Sequence, residues 1–429
     1  MLTNRSVIRL GTRLVAISLA TAPPIAYSQD AAPTDLVGLW KAKRCFGPDV
    51  KGKLVIHRAE GEWRASIAGR SVAVRMGNDT MSFVLLDGGG SFVGRFSARR
   101  STIVGHWIQP RTVTDGNTFA SPVVLSGCGT NCFTGNVAPR DEEFTFYITD
   151  FYPRGRPTGS YSYSPPRQRD DGWPTGTLEE AGLSREKIWE FMQALINTPI
   201  DSVGSPEVHG MDCDDASETS PGSEEAITQQ DDNPDWYRII LDLGMIRDPG
   251  AKAVYCSINP HLAGGVLSRV TGRSLSDLMR ELVAEPLQMQ HYYVALTPLG
   301  EGYMGGGWRF RPRDFMKLGQ LHLNGGTWRG KRVVSEDWVR RLTSPRYDLG
   351  RIMKYGYLWW VREYPHSGRT LQTYNALGNG GQTIMVILEL DLVFVAYDGN
   401  YSDSEATWKT QRDLVPRFVL PAILSSSRR

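Results

Sequence analysis

The chain has no excess of either charge. In 429 residues, 48 Lys plus Arg stand against 46 Asp plus Glu, a net of +2. That balance excludes the basic stripe with which nucleic-acid binders neutralise phosphates. Cysteine is scarce, at five, and none of the seven histidines stands at metal-ligand spacing from one. No His-Glu-x-x-His occurs either, so a zinc site is not expected. Long apolar runs are missing beyond residue 28. The best later window, Thr383 to Tyr397, is broken by Glu389 and Asp391, so no transmembrane helix is expected in the mature chain. The Gly-x-Ser-x-Gly nucleophile elbow and the Gly-x-x-x-x-Gly-Lys-Ser/Thr phosphate loop are absent, which disfavours an α/β-hydrolase and a P-loop enzyme.

What is there suits a globular protein: 41% hydrophobic and 22% charged residues, over a length that suggests two domains. Residues 1–28 carry Arg5, Arg9 and Arg13 ahead of an apolar stretch from Leu14 to Ala26, which reads as a signal peptide cut near Ser28. Export to the periplasm or beyond is therefore expected. In that oxidising compartment Cys45, Cys128, Cys132, Cys213 and Cys256 become disulfide candidates, with one left over. Cys128-Gly-Thr-Asn-Cys132 reads as a disulfide-closed turn.

From 35 to 150 the pattern is short alternating runs bounded by glycine, such as Leu54-Val-Ile-His57, Ser82-Phe-Val-Leu-Leu86 and Ser91 to Phe96. Period-two alternation with regular turn signals predicts a small antiparallel β module, a sandwich or barrel. Residues 151–173, dense in Pro, Gly, Ser and Tyr, read as a linker. Helices follow. Ser184 is an N-cap ahead of Ile188, Phe191 and Leu195; Ser274 to Leu287 carries Leu275, Leu278, Met279, Leu282 and Val283; Pro312 to Asn324 opens on proline and stops at Gly325-Gly326. Gln382 to Leu388 and Leu390 to Tyr397 predict two buried strands, and Glu405 to Leu424 a closing helix interrupted or kinked at Pro416 and Pro421.

Residues 201–235 hold eleven acidic residues and no Lys or Arg. Asp212, Asp214 and Asp215 are clustered hard ligands for Ca²⁺, but Ser217 and Ser223 occupy the positions where an EF-hand needs glycine and glutamate. A solvated loop is expected.

A set of segments follows in order: Asp171-Gly-Trp-Pro-Thr, His209 to Asp215, Asp235-Trp-Tyr, Pro249 to Asn259, Leu262-Ala-Gly-Gly265 and Val270-Thr-Gly-Arg273. Pro286 to Met289, Gly305 to Asp314 and Gly378-Asn-Gly-Gly-Gln382 complete the series. In that order these segments resemble the β-lactamase and penicillin-binding-protein superfamily of serine hydrolases, in its class C-like and esterase-like branch. The resemblance covers roughly 170–420. It implies an α+β fold, a β-lactamase/transpeptidase-like mixed domain over 174–424, with helices packed on an antiparallel sheet behind the β module. It also implies acyl transfer from an ester, amide or β-lactam, with a small-molecule or peptide substrate and with no metal or organic cofactor.

By the resemblance, Tyr255 opens the Tyr-x-Asn-like motif that moves protons. A phenol of pKa about 10 serves as a base only beside a cation, so that role needs a lysine. Ser257 stands where relatives often carry Asn, and Asn259 lies two residues on. Gly380, Gly381 and Gln382 match the family's Lys-Thr-Gly strand, whose backbone N–H helps form an oxyanion hole. A Cys213–Cys256 disulfide would tether the acidic loop beside Tyr255.

The family's Ser-x-x-Lys nucleophile motif has a single match, Ser184-Arg-Glu-Lys187, which stands before the acidic segment where relatives have an ordinary surface helix. Its charged neighbours and cap signal favour a structural role. Between the counterparts of Ile200 and His209 the family holds several tens of residues, including the nucleophile helix; here Asp201 to Val208 fill that space. The expectation is an incomplete domain and a degenerate or inactive hydrolase. Two alternatives remain: a non-catalytic periplasmic binding protein for cell-wall peptides or a small ligand, and a β module that itself binds a small apolar ligand.

Overall fold

A computed structural model describes residues 43–45, 48, 50–86, 88–110, 118–137, 145–147, 162–196, 224–228, 230, 232–244, 248, 250–251, 253–349, 353–397 and 408–423. The expected signal peptide, the Asp212–Asp215 cluster and Cys213 lie outside these described residues.

The alternating runs form strands. They are β1 (Lys43–Cys45), β2 (Gly52–Ala59), β3 (Glu62–Ile67), β4 (Arg70–Ala73), β5 (Arg75–Met76), β6 (Thr80–Val84), β7 (Ser91–Phe96), β8 (Thr102–Gln109), β9 (Thr118–Gly129), β10 (Cys132–Val137) and β11 (Thr145–Tyr147). Strands β1 and β11 pair with each other, and the rest follow the order β4-β3-β2-β10-β9-β8-β7-β6-β5. Two-residue turns at Glu60-Gly61 and Ala68-Gly69 have φ of 51° and 87°, and 49° and 76°, the left-handed geometry that matches hairpin twist. Leu54, Ile56, Phe83, Phe92, Ile103, Trp107 and Val137 meet in one buried cluster. Strands from across the path thus share an interior, as a strongly curved sheet requires. The Cys128–Cys132 disulfide closes the β9–β10 hairpin, as its spacing suggested.

The second region is built on a six-stranded antiparallel meander: β16 (Tyr347–Asp348), β17 (Lys354–Tyr355), β18 (Trp360–His366), β19 (Arg369–Gly378), β20 (Gln382–Ile387) and β21 (Leu392–Ala396). The last two are the adjoining strands expected there. Helix α1 (Arg185–Ile196) and the closing helix cover one face, with Phe191, Leu414 and Val415 against Met385 and Ile387. On the other face lies α6 (Pro312–Leu323), with Phe315 and Leu318 against Ile384 and Val386. Gly319 permits that approach, because a Cβ there would stand 2.6 Å from a Val393 methyl and 2.7 Å from an Ile384 methyl. Helices packed on an antiparallel sheet, preceded by an all-β region, are the α+β architecture expected.

Smaller elements complete it: α2 (Glu224–Thr228), α3 (Trp236–Asp242), α4 (Ile258–Thr271), α5 (Leu275–Met279), β12 (Tyr292–Leu296), β13 (Arg309–Phe310), β14 (Thr327–Trp328), β15 (Lys331–Arg332) and α7 (Glu336–Leu342).

Three details depart from the sequence reading. Helix α5 widens into a π turn over Arg280–Ala284, which shifts the helical phase, so Leu282 points to solvent at 57% exposure although Leu275 and Leu278 are buried. The closing helix runs past Pro416 as a π-helix over Thr410–Val419 and continues through Leu420–Ala422, with Leu420 N–H donating to Val415 C=O. A five-residue hydrogen-bond spacing accommodates what a regular α-helix would not. Finally, the segment read as linker is docked where it is described. Asp171 takes both arms of Arg313, and Trp173 donates to the Arg313 carbonyl at 2.9 Å while meeting Trp328 edge-on.

The two regions also share a sheet. Strand β12 pairs antiparallel with β9, Val294 opposite Ala120 and Leu296 opposite Thr118. Nothing local in either segment announces this pairing.

Candidate functional site

Tyr255 lies just before α4, and its ring meets Trp360 at 5.2 Å and Tyr355 edge-on at 5.6 Å. Those two residues face each other across β17 and β18, so that strand pair packs against the tyrosine. Burial, with smaller contributions from the Tyr355 phenol and the Glu224 carboxylate, pushes the Tyr255 phenol well above its ordinary value. The surroundings therefore oppose the phenolate that a proton-accepting role requires. A protonated Tyr255 suits a different task, donating a hydrogen bond to a carbonyl or other acceptor.

Ser257 is buried at the N-terminus of α4, whereas Asn259, in the first turn, is exposed. Two residues apart on a helix, they do not share a face. Cys256 is disulfide-bonded; the pairing with Cys213 lies outside the described residues.

An aromatic cluster backs this segment. His261, 1% exposed, stacks on Tyr237 with ring centroids 4.3 Å apart and contacts Trp236 and Tyr303. Burial lowers its pKa to about 4, so the imidazole is neutral at neutral pH. The Tyr303 hydroxyl donates to Glu224, the same carboxylate that acts on Tyr255. Tyr355, Trp360 and Glu224 were not singled out in the sequence. The aromatic run Tyr355-Gly-Tyr-Leu-Trp-Trp360 was a signal available there, whereas Glu224 sits unmarked in an acidic segment.

Gly380 and Gly381 form the β19–β20 turn, with φ of 91° and 97°, and Gln382 opens β20 opposite Gly378. The Gly381 N–H donates to the Gly378 carbonyl at 3.1 Å, which commits that amide to the turn. Trp360 stands opposite Asn375, three residues from Gly378, so the glycine turn and Tyr255 lie at the same end of the sheet. Along the strand the offset is about 10 Å.

Ser184 and Lys187 are held elsewhere. The Ser184 Oγ accepts from Lys187 N–H at 3.3 Å, an N-cap bond, and the Ser184 N–H donates to the Ala422 carbonyl. The Lys187 ammonium reaches both Glu190 carboxylate oxygens at 2.8 Å, and that bonding raises its pKa. A lysine held as an ammonium cannot take a serine proton. Among the described residues no cluster of three His, Cys, Asp or Glu is placed to hold a metal ion.

Comparison with known proteins completes the picture. Residues 217–413 match the Beta-lactamase family model. A 6-aminohexanoate-dimer hydrolase of Paenarthrobacter ureafaciens is 27% identical over 177 residues, 39% of this chain and 44% of the relative. The match thus spans less than half of that relative's length. Among solved structures, a Bacillus anthracis protein provisionally assigned as a 6-aminohexanoate-dimer hydrolase is 20% identical, with a TM-score of 0.38 over 42% of this chain and 46% of the other. A penicillin-binding protein of Bacillus halodurans is 17% identical, with a TM-score of 0.33 over 41% and 60%. By the family match, the part of the chain from 217 to 413 is a member of the β-lactamase superfamily of serine hydrolases.

Proposed function

We propose that this chain is an exported, β-lactamase-related protein that retains a carbonyl-binding cleft around Tyr255 but, in this form, lacks acyl-transfer activity. In an intact member a serine oxygen attacks the carbonyl of an ester, amide or β-lactam, the alcohol or amine leaves or stays as the opened ring, and water then releases the acid. That sequence needs an activated serine. The observation that carries the reading is the fate of the single Ser-x-x-Lys motif: its serine caps a helix and its lysine is bound by Glu190. The raised Tyr255 phenol supports it, since burial, Tyr355 and Glu224 all disfavour a tyrosinate base.

What remains favours binding over turnover. A protonated phenol and an aromatic wall of Tyr355 and Trp360 suit the carbonyl and apolar parts of an acyl compound or cell-wall peptide. Export rests on the signal-peptide pattern of residues 1–28, and a disulfide such as Cys128–Cys132 is commoner in oxidising compartments than in reducing ones.

The test is intact-mass analysis of folded protein after exposure to a fluorophosphonate and to a penicillin. The expected result is no adduct. A stoichiometric adduct would overturn the inactive reading, and Ser184→Ala would then show whether the capping serine carries it.

A further inference from the structure

The surface around α7 and the β17–β18 turn carries apolar side chains that neither the core nor the Tyr255 cleft uses. Residues Gly356 to Trp359 make a tight turn, the Gly356 N–H donating to the Trp359 carbonyl at 2.8 Å. Trp359 and Trp360 point inward and are buried, whereas Tyr357 and Leu358 are exposed, Leu358 at 58%. The Tyr357 ring stacks on Trp338 of α7 with centroids 5.5 Å apart, and Trp338 is exposed as well. Exposed Tyr347 of β16 stands opposite Tyr355 of β17, beside the same turn.

Leu358 is held in a costly conformation. Its φ is 65°, a backbone geometry that glycine adopts freely and leucine avoids. The turn is fixed in place, because Gly356 is buried against the end of α7, where a Cβ would stand 2.5 Å from the Leu342 carbonyl oxygen. A strained residue that turns its apolar side chain to solvent does little for the interior, so the reason for it lies outside the fold.

Charge and shape say what kind of partner fits. From Glu336 to Leu358 five Lys or Arg stand against three Asp or Glu. Arg340 and Arg341 share one carboxylate, that of Asp337. Arg346 lies over the Tyr357 ring at 4.7 Å, and Lys354 stands opposite Asp348 in the strand register; among the described residues neither cation makes an ion pair. The tip of a turn is convex, so it inserts rather than cradles. An aliphatic tip flanked by Trp and Tyr within a basic surround matches an anionic bilayer: rings sit at the headgroups, the leucine reaches the acyl boundary and the cations meet lipid phosphates.

We infer that the Tyr357-Leu358 turn and Trp338 form a docking surface for an anionic lipid membrane, with Arg346 and Lys354 facing its phosphates.

Co-sedimentation of the full chain with phosphatidylcholine vesicles, with and without phosphatidylglycerol, tests this. Binding should require the anionic lipid and weaken as salt is raised. Leu358→Gly removes the tip yet suits the positive φ, so it should keep or raise the melting temperature while weakening binding about tenfold. Lys354→Gln should weaken binding about fivefold. No sedimentation with either vesicle would overturn the proposal, and equal binding to neutral vesicles would overturn its anionic part. A Leu358→Gly protein that binds like the unmodified chain would overturn the assignment to this turn. Retention on an insoluble polysaccharide without vesicle binding would give the aromatic face to a sugar polymer instead, and so overturn the lipid reading.

Discussion

His106 Nδ1 of strand β8 and Asp277 Oδ1 of helix α5 face each other 3.5 Å apart across the junction of the two regions. Burial lowers the His106 pKa from 6.5 to about 4, against the pull of Asp277, and burial lowers His261 by a similar amount. In the unfolded chain both titrate near 6.5, so between pH 6.5 and 4 the unfolded state binds more protons and stability falls as pH drops. The slope is on the order of 1.4 kcal/mol per pH unit for each histidine at most. Urea midpoints at pH 7, 6 and 5 should decline accordingly. His106→Gln and His261→Phe, neither of which titrates, should each flatten the profile; an unchanged slope in both would remove this explanation.

The Ser184 side chain makes an N-cap bond. Ser184→Ala should cost about 1 kcal/mol, read as a lower melting temperature, because the first turn of α1 loses the acceptor for Lys187 N–H. It should leave the reaction with a fluorophosphonate unaltered.

Lys317 is fully buried, and its ammonium lies 2.7 Å from Asp314 Oδ1 and 2.9 Å from the Gln288 carbonyl. Lys317→Met leaves the Asp314 carboxylate buried without its cation, and a loss of about 3–5 kcal/mol is expected from denaturant unfolding. Asp314→Asn together with Lys317→Met should recover part of that loss, since no unpaired charge then remains.

Gly319→Ala sets two effects against each other. Alanine improves helix propensity by about 1 kcal/mol, but its Cβ would meet methyls of Val393 and Ile384 at 2.6 and 2.7 Å. Overpacking of this kind costs about 1–3 kcal/mol, so the clash should win and the urea midpoint should drop.

Local signals were readable in the sequence wherever one element decides the outcome. The period-two runs gave β2, β6 and β7; Ser184 and Pro312 marked where α1 and α6 begin; and the apolar runs Gln382 to Leu388 and Leu390 to Tyr397 gave β20 and β21. Phase changes were not readable, because the π turn at Arg280–Ala284 depends on packing that no periodicity encodes. The environment of Tyr255 was half legible. Its position followed from the family resemblance, but the burial, Tyr355 and Glu224 that raise its phenol come from segments far away in the chain. Long-range pairing, such as β12 with β9, has no local signature at all.

That pairing has a consequence for how the protein comes apart. Because β12 adds to β9 through backbone hydrogen bonds, and Arg309 lies over the Phe119 ring at 5.5 Å, the halves are joined by more than the peptide linking them. A chain cut once between β10 and α1 should stay together in native buffer as a two-fragment complex. The two pieces, made separately and mixed, are then a natural split pair whose reassembly reports on the junction itself.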